Sequence, residues 1–220
     1  MLILKALTLL LPWPLRRWIL NSFFRYQIHP KSRIGFSWVF PKQLKMDAYS
    51  RIGHLTVCKG LELLELGSHA SIGRANWITG FPFNGSKHFA HQAERVPSLV
   101  IGEHASITNR HMIDCTNSVS IGAFSIFAGF RSQILTHSID LEMNRQSSAP
   151  IQIGNYCFVG TDCVLLGGST LPDNSVLGAK SLLNKPYSDS FWLYAGNPAR
   201  PVKELPKDLE FFSRRNGFVF

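Results

Sequence analysis

The first 45 residues contain no aspartate or glutamate, although they carry eight lysines and arginines. The formal net charge of the whole chain is +9, so the rest of the chain carries only about +1 (9 minus 8). A nucleic-acid groove along the body would need basic groups spread over the contacting face, because each phosphate is met by a nearby cation. The charge distribution therefore argues against such a groove and confines the basic character to the N-terminus.

The chain also lacks an uninterrupted apolar run of the ~18–20 residues that a membrane-spanning helix needs. In the opening stretch MLILKALTLLLPWPLRRWILNSFFRYQIHP, Lys5 and two prolines interrupt the apolar residues. Pro14 suits the first turn of a helix, and Trp13 and Trp18 beside arginines suit the headgroup boundary of a bilayer. We expect residues 1–25 to form two short helices on an anionic membrane surface, with a cap on the protein's own core as the alternative. A signal peptide is disfavoured, because no small-residue cleavage site follows.

Cysteine is scarce, and the four cysteines at positions 58, 115, 157 and 163 form no CxxC pair. This spacing matches neither a disulfide framework nor a zinc site. We therefore expect reduced thiols in a cytoplasmic protein.

Apolar residues recur with a period of six, which differs from the 3.6-residue period of a helix and from the alternation of a hairpin. The positions are Ile28, Ile34, Phe40, Met46, Ile52, Cys58, Leu66, Ile72, Ile78, Ile101, Ile107, Ile113, Ile121, Phe127, Ile153, Val159, Leu165, Leu171, Leu177 and Leu183. One apolar side chain every six residues can line the inside of a triangular coil with one short strand per side. Three hexads make one coil of 18 residues, and successive coils pair as parallel strands ~4.8 Å apart.

The residues between the apolar positions fit the corners of such a coil. Glycine directly follows nine of the apolar positions, and small residues such as Ser50, Cys157 and Cys163 occupy the fifth slot. We interpret the small residue as the corner and the glycine as the place where the backbone takes angles that a Cβ forbids. Cys58 takes an inward slot, so packing explains these cysteines better than chemistry.

The repeat divides the chain into three parts. With 220 residues, 45% of them hydrophobic, one substantial core is expected and a second full domain is not. The coils occupy residues 28–188, about seven coils, between an N-terminal segment 1–27 and a C-terminal segment 189–220. Two interruptions, at 80–99 and 135–150, predict loop insertions on the outside of the solenoid, where binding sites are commonly built.

The stretch IQIGNYCFVGTDCVLLGGSTLPDNSVLGAKSLLNKPYSDSFWLYAGNPARPVKEL, residues 151–205, resembles the C-terminal coils of the hexapeptide-repeat acyltransferases. It is similar to their acetyl-CoA-dependent branch, whose members end in a GNPA segment followed by a basic residue. Within that branch it resembles the sugar and polysaccharide O-acetyltransferases, such as the maltose, galactoside, nodulation and colanic-acid acetyltransferases. The resemblance covers residues 28–205 and implies an all-β, left-handed parallel β-helix that works as a trimer with acetyl-CoA. We add a short amphipathic helical segment before the coils and a helical tail after them.

The resemblance also implies roles for individual residues. His137, in LTHSID, matches the family's general base, which takes the proton of an attacking hydroxyl. Asp140 is a candidate to hold the imidazole tautomer or to contact the acceptor, with a solvent-facing role equally open. Asn109 matches the acceptor-site asparagine of the family, but the spacing is one residue shorter than usual, so Arg110 or His111 could share that role.

Asn109 and His137 fall on different sides of an 18-residue coil when counted from the apolar residues before them. If both serve one site, they come from neighbouring subunits, and we therefore expect an active site at the trimer interface. His88 and His91, in the first insertion, are further candidates for contact with the acceptor.

Acetyl-CoA is expected, by the resemblance, along the C-terminal coils. Lys180 departs from the glycine that is more usual in the family, which weakens the match there. The implied contacts are Gly160 and Thr161 on the pantetheine arm, the backbone amides near Ala179 and Lys180, Asn184 and Lys185 in the place of a Thr-Lys pair, and Arg200 and Lys203 at the nucleotide phosphates.

The preferred function is direct transfer of an acetyl group to a sugar hydroxyl of a surface polysaccharide or its lipid-linked precursor. The basic, apolar N-terminus places the enzyme on the inner face of the plasma membrane, and we expect no metal. N-acylation of an amino sugar remains open, because the same base could deprotonate an amine. A zinc enzyme like the γ-carbonic anhydrases, whose HxxxxH pair is missing here, and a non-catalytic scaffold are further alternatives.

Overall fold

The computed structural model describes residues 2–83 and 87–219. Two helices, α1 (Leu2–Thr8) and α2 (Trp13–Phe23), precede strands that are numbered β1 to β25 along the chain. Nearly all of the strands belong to three sheets, A, B and C, and the chain visits the sheets in that order in every coil. Seven coils follow one another, as the six-residue period predicted.

Each sheet takes one strand from every coil. Sheet A contains β1 (Gln27–Ile28), β4 (Gln43–Met46), β7 (Leu63–Leu66), β10 (Ser98–Ile101), β13 (Val119–Ile121), β18 (Ile151–Ile153) and β21 (Thr170–Leu171). Sheet B contains β2 (Arg33–Ile34), β5 (Arg51–Ile52), β8 (Ser71–Ile72), β11 (Ser106–Ile107), β14 (Ile126–Phe127), β19 (Phe158–Val159) and β22 (Val176–Leu177). Sheet C contains β3 (Trp38–Phe40), β6 (Val57–Lys59), β9 (Trp77–Thr79), β12 (Met112–Asp114), β15 (Gln133–Leu135), β20 (Val164–Leu166) and β23 (Leu182–Leu183).

The apolar residues of the repeat stack on one another inside the triangle. Ile78, Ile113 and Ile134 pair in parallel register on successive strands of sheet C. All the predicted inward positions are buried, none of them more than 5% exposed, and they form one continuous core. Ile134 belongs to the same column, but it follows Phe127 by seven residues, so a strict count of six passes over it.

The glycines that follow the inward residues serve a different purpose from the one predicted. The left-handed backbone angles lie two residues later, on residues such as Leu55 and His104, with φ of 60° and 57°. At Gly53, an added Cβ would stand 2.7 Å from the backbone carbon of Gly73 in the next coil. Glycine is therefore needed for the close stacking of coils, while side chains accept the left-handed angle at the corner.

Helix α2 covers the open end of the first coil. Its Leu20 is fully buried, and its Arg16 is 3% exposed. The Arg16 guanidinium donates hydrogen bonds to Gly35 O and Ser37 O, each at 2.8 Å, so backbone carbonyls with no preceding coil still find donors. The capping role considered as the alternative for this segment is therefore present. No helix within the described ranges has the length and apolar character needed to cross a membrane.

The last part of the chain differs from the predicted helical tail. Strand β24 (Trp192–Gly196) adds to sheet B beside β22, and β25 (Ala199–Glu204) returns antiparallel to β24. Between residues 205 and 219, the one helical element is a 3₁₀ turn at Glu210–Phe212. The GNPA segment thus forms the turn of a hairpin that extends sheet B.

The two insertions leave the coils at the same corner, between sheets C and A. The first occupies residues 80–97 and includes a 3₁₀ turn at Lys87–Phe89. The second occupies residues 136–150 and forms an antiparallel hairpin of β16 (His137–Asp140) and β17 (Arg145–Ser148).

Candidate active site

His137 is the second residue of the second insertion and the first residue of β16, two positions after the end of β15 in sheet C. Asp114 is the last residue of β12, one coil earlier, and pairs in register with Leu135. Because the coils stack, this carboxylate lies beside the imidazole, and the distance from His137 Nδ1 to Asp114 Oδ2 is 2.8 Å. The arrangement is a histidine oriented by a carboxylate.

The Asp114 carboxylate is itself held by a set of donors. Its Oδ1 accepts hydrogen bonds from the backbone N–H and the hydroxyl of Thr116, at 3.1 and 2.6 Å. Its Oδ2 accepts from the backbone N–H and the hydroxyl of Thr136, at 2.9 and 2.7 Å. Burial alone would raise the pKa of Asp114, but the hydrogen bonds from His137, Thr116 and Thr136 outweigh it and lower that pKa. The carboxylate therefore stays ionised.

An ionised carboxylate can only accept hydrogen bonds. His137 Nδ1 therefore carries a proton and donates a hydrogen bond to Asp114 Oδ2. Nε2 is then the ring atom with a free lone pair in the neutral imidazole. The hydrogen bond to Asp114 raises the pKa of His137, while partial burial and the positive charge of Arg95 oppose that rise. A strengthened base with one oriented nitrogen is what proton abstraction requires.

The first insertion packs against the imidazole. The ring centroids of Phe81 and Phe89 lie 5.6 and 6.2 Å from that of His137, both edge-on. Arg95, only 4% exposed, donates to Phe81 O at 2.8 Å and to Thr116 O at 2.6 Å. Its guanidinium also lies 4.5 Å from the centre of the Phe89 ring. Arg95 therefore fixes the insertion to the coil that carries Asp114.

The two insertions are also joined directly. The Gln92 side chain donates to Ser148 O at 2.9 Å and accepts from Ser148 N at 3.1 Å. This pairing connects the first insertion to the end of the hairpin that starts at His137. Gln92 and Ser148, which are 56 positions apart in the sequence, thus join the two insertions beside the imidazole.

His137 lies between two open clefts. One, of about 450 Å³, extends toward the N-terminal coils and is lined by Lys59, Trp77, Thr79, Gly80, Phe81, Asp114, Thr116 and His137. The other, of about 340 Å³, extends toward the C-terminal coils and is lined by Leu135, Thr136, His137, Ser138, Ser147, Ser148, Ala149, Leu166, Gly167 and Asn184. An imidazole shared by two clefts can serve two substrates that approach from opposite directions.

The predicted acceptor residues do not all lie near His137. Asp140 is bound within its own hairpin, where it accepts from Met143 N at 3.1 Å and faces Arg145 at 3.9 Å. The carboxylate that orients His137 is Asp114, so the prediction of Asp140 in that role is wrong.

Asn109 and Arg110 lie at the corner between sheets B and C, on the opposite edge of sheet C from His137. The Asn109 carboxamide accepts from Arg74 N at 2.8 Å. His111 is 1% exposed, with Nε2 3.0 Å from the Thr108 hydroxyl and Nδ1 accepting from Ser132 N at 3.2 Å. Burial lowers the pKa of His111 to about 4. This burial contradicts contact of His111 with an acceptor, because its ring supports the corner from inside.

The predicted coenzyme contacts fall into separate groups. Gly160, Thr161, Ala179 and Lys180 lie at the corner between sheets B and C, Asn184 and Lys185 lie at the corner between sheets C and A, and Arg200 and Lys203 lie on β25. Asn184 shares the C-terminal cleft with His137. The N–H of Lys180 donates to Thr161 O at 2.9 Å, which removes it from the predicted contacts with a ligand. The remaining assignments stay predictions.

Sequence reasoning missed Asp114, Phe81, Arg95 and Gln92. Only Asp114 had a readable signal: aligning the coils at Ile113 and Ile134 puts Asp114 beside Leu135, two residues before His137. Within residues 2–83 and 87–219, no group of three or more histidines, cysteines or acidic residues could hold a metal ion.

Parts of the sequence are similar to curated relatives, among them two Escherichia coli proteins. The first is the Escherichia coli (strain K12) protein WcaF, assigned as a colanic acid biosynthesis acetyltransferase, at 29% identity over 48% of this chain and 58% of its own length. The second is the galactoside O-acetyltransferase of the same strain, at 35% identity over 31% of this chain and 35% of its own length. The chain therefore spans about half the length, or less, of the curated relatives it matches. No protein-family model matches the sequence.

Solved structures share the fold, among them two acetyltransferases. The polysialic acid O-acetyltransferase OatWY superposes with a TM-score of 0.59 at 19% identity, over 81% of this chain and 84% of that one. A hexapeptide-repeat acetyltransferase of Vibrio cholerae O1 biovar eltor, complexed with acetyl coenzyme A, has a TM-score of 0.53 at 22% identity, over 64% of this chain and 71% of that one. The predicted all-β fold, a left-handed parallel β-helix, is confirmed. These likenesses show that the chain has the fold of hexapeptide-repeat acetyltransferases, and part of its sequence is similar to acetyltransferases named for colanic acid biosynthesis and for galactosides.

Proposed function

We propose that the protein transfers an acetyl group from acetyl-CoA to a hydroxyl of a sugar in a surface polysaccharide or its lipid-linked precursor. The observation that carries this proposal is the placement of His137, oriented by Asp114 at 2.8 Å, between two open clefts. Two relatives are named as acetyltransferases of colanic acid biosynthesis and of galactosides, which supports a sugar acceptor. The acetyl coenzyme A complex of the Vibrio cholerae protein supports the donor.

The proposed step needs only one base. Nε2 of His137 takes the proton of the sugar hydroxyl while the hydroxyl oxygen attacks the thioester carbonyl carbon. A new C–O bond forms, the C–S bond breaks, and the coenzyme leaves as a thiolate. The thiolate then takes from the imidazolium the proton that came from the sugar hydroxyl. Asp114 stabilises the imidazolium in between and keeps Nε2 directed at the hydroxyl. The sugar is assigned to the cleft near Trp77, and the donor to the cleft near Asn184.

The predicted coenzyme contacts lie too far apart on one chain to suggest a site within a single copy. Thr161 and Ala179 lie on the edge of sheet C that is opposite to His137 and Asn184. If all of them contact one acetyl-CoA molecule, the two edges belong to neighbouring subunits that face each other. We accordingly propose a homotrimer with active sites between its subunits.

The N-terminal helices support a membrane association of the same enzyme. Leu7, Leu10, Trp18 and Phe23 are between 55% and 77% exposed on the outside of the cap. Arg25, two positions after Phe23 in the sequence, is also exposed, and the first acidic residue of the chain is Asp47. Apolar side chains next to cations suit an anionic bilayer surface. We propose a cytoplasmic enzyme held at the inner face of the plasma membrane, where lipid-linked sugars are reached.

The activity is tested with purified protein, acetyl-CoA and a panel of sugars, by the release of free thiol and the mass of the product. We expect an acetylated sugar, and a loss of about 10²–10⁴-fold in kcat for His137→Ala. His29→Ala, which changes an exposed histidine of the first coil, is the matched control. Release of the acetyl group by mild alkali distinguishes an ester from the amide of an amino sugar. Equal rates for His137→Ala and the wild type would disprove the proposed base.

A further inference from the structure

The cleft on the N-terminal side of His137 is floored by the outward residues of sheet C. Lys59, Thr79 and Asp114 lie side by side on three successive strands, in parallel register. Strands are ~4.8 Å apart, so the Lys59 backbone lies about 10 Å from that of Asp114. A sugar whose hydroxyl reaches His137 therefore extends toward Lys59.

Aromatic side chains form the apolar part of this cleft. Trp77 and Phe81 line it and are 48% and 38% exposed, so part of each aromatic side chain is accessible to a ligand. Aromatic faces with a few polar groups are the usual lining of a site that binds a small polar ligand. The Lys59 amine lies 5.5 Å from the centre of the Trp77 ring, so a ligand on that ring would also meet the amine.

Among the side chains that line the cleft and that the structure describes, Lys59 is the cation available to a ligand. Asp114 is bound to His137, and Glu62 is bound to Lys42 at 2.7 Å. Arg95 is buried and its guanidinium donates to backbone carbonyls. Lys59 is exposed, and among the described residues no carboxylate forms an ion pair with it.

We propose that this cleft selects an anionic sugar, whose ring lies on Trp77 and whose carboxylate or phosphate binds the Lys59 amine. The inference rests on the proposed acetyl transfer and adds the class of acceptor to it. A carboxylate on the sugar and a phosphate on its anomeric carbon share the chemistry that an exposed ammonium recognises. Because the contact lies away from the reacting hydroxyl, Lys59 determines specificity and takes no part in the chemical step.

The test compares acceptors that share a ring and differ in charge. The galactose series consists of methyl galactoside, methyl galacturonoside and galactose 1-phosphate, and a second series is built in the same way on glucose. We expect kcat/KM to be about tenfold higher for at least one anionic member than for the neutral glycoside. Lys59→Gln should abolish this preference through KM, Lys59→Arg should retain it, and raising the ionic strength should reduce it. If the galacturonoside has the higher kcat/KM, the recognised group is a carboxylate; if the sugar 1-phosphate has it, the group is a phosphate.

Lys45→Gln is the matched control, because it removes an exposed amine from sheet A, away from the cleft. Equal kcat/KM for neutral and anionic acceptors in the wild type would overturn the inference and leave the proposed acetyl transfer intact. An equal loss for all acceptors in Lys59→Gln would also overturn it, since that pattern means a structural role. If no sugar of either series is acetylated, the proposed function itself fails, and the inference fails with it.

Discussion

His137 and Asp114 are 23 residues apart in the sequence, yet the imidazole and the carboxylate share a hydrogen bond of 2.8 Å. The contact exists because β12 and β15 are neighbours in sheet C and both end at the corner where the second insertion begins. The stacking of coils thus brings together two side chains that are distant in the sequence. The orienting group comes from the coil before the base.

The hydrogen bond predicts how the pH dependence of the reaction will respond to substitution. Asp114 raises the pKa of His137, so Asp114→Asn should lower that pKa and move the acidic limb of the kcat/KM profile to lower pH. We also expect kcat to fall by about 10²–10⁴-fold, because an amide no longer holds the reactive tautomer. The measurement is a pH–rate profile of both proteins.

Asp140→Asn is the matched control for that experiment. It changes a carboxylate in the hairpin that contains His137, but this carboxylate pairs with Arg145 and not with the imidazole. Its profile should superpose on that of the wild type. A profile of Asp114→Asn with an unshifted acidic limb would separate Asp114 from the titration of the base.

The predicted coenzyme contacts are divided between two edges of sheet C, which predicts complementation between inactive variants. In His137→Ala, the base is missing. In Ala179→Trp, a bulky side chain blocks the opposite edge, where Ala179 is exposed. If a site combines the two edges of neighbouring subunits, mixed oligomers of the two variants contain some intact sites, and activity should return to roughly a third of the wild-type value or less.

Each variant alone, and a mixture of the two that has not exchanged subunits, are the controls for complementation. Co-expressed chains with different affinity tags allow the mixed oligomer to be isolated. Mixed oligomers that remain inactive, or a fully active monomer, would contradict a site shared between subunits.

Membrane binding is best tested by substitutions on the outer side of the N-terminal cap. Deleting residues 1–25 would remove Arg16 and Leu20, which cover the first coil, so release from a membrane could simply follow unfolding. Trp18→Ser with Phe23→Ser changes only the outer side of the cap. We expect binding to vesicles with anionic lipid to fall about tenfold or more, since each exposed aromatic group contributes apolar area. The measurement is cosedimentation with vesicles at two salt concentrations.

Leu20→Ala provides the complementary result on the same helix. Its side chain is fully buried, so the free energy of unfolding should fall by about 2–5 kcal/mol. Vesicle binding by the folded protein should stay the same. Val202→Glu removes an exposed apolar side chain from the last strand, far from the N-terminus in the sequence. It tests whether the loss of any exposed apolar side chain is enough to weaken vesicle binding. Unchanged binding by the Trp18 and Phe23 variant would exclude this surface as the anchor.

The sequence predicted the fold in more detail than the site, for a reason that particular residues show. Ile107, Val159 and Leu177 each occupy an inward slot because one apolar side chain per six residues is a local rule that repeats along the chain. The contact of Asp114 with His137, by contrast, depends on the register of two coils and on the one-residue shift before Ile134. The inward position of the His111 ring is not predictable from the sequence, because its neighbours along the chain do not indicate it.

The insertions show the same limit. Their positions were readable as gaps in the repeat, and both were expected outside the solenoid. Nothing local in the sequence indicates that Gln92 bonds to Ser148, or that Phe81 packs against His137. Such contacts join segments whose relative placement follows from the coils between them.

The sequence by itself determined the period, the inward residues, the number of coils and the position of the histidine, because each depends on residues close together in the chain. The tertiary structure alone decided which carboxylate orients His137, which aromatic and basic side chains share its clefts, and that α2 turns Arg16 inward. The physical reason is that a solenoid encodes its core locally, whereas its outer surface is assembled from residues a whole coil or more apart.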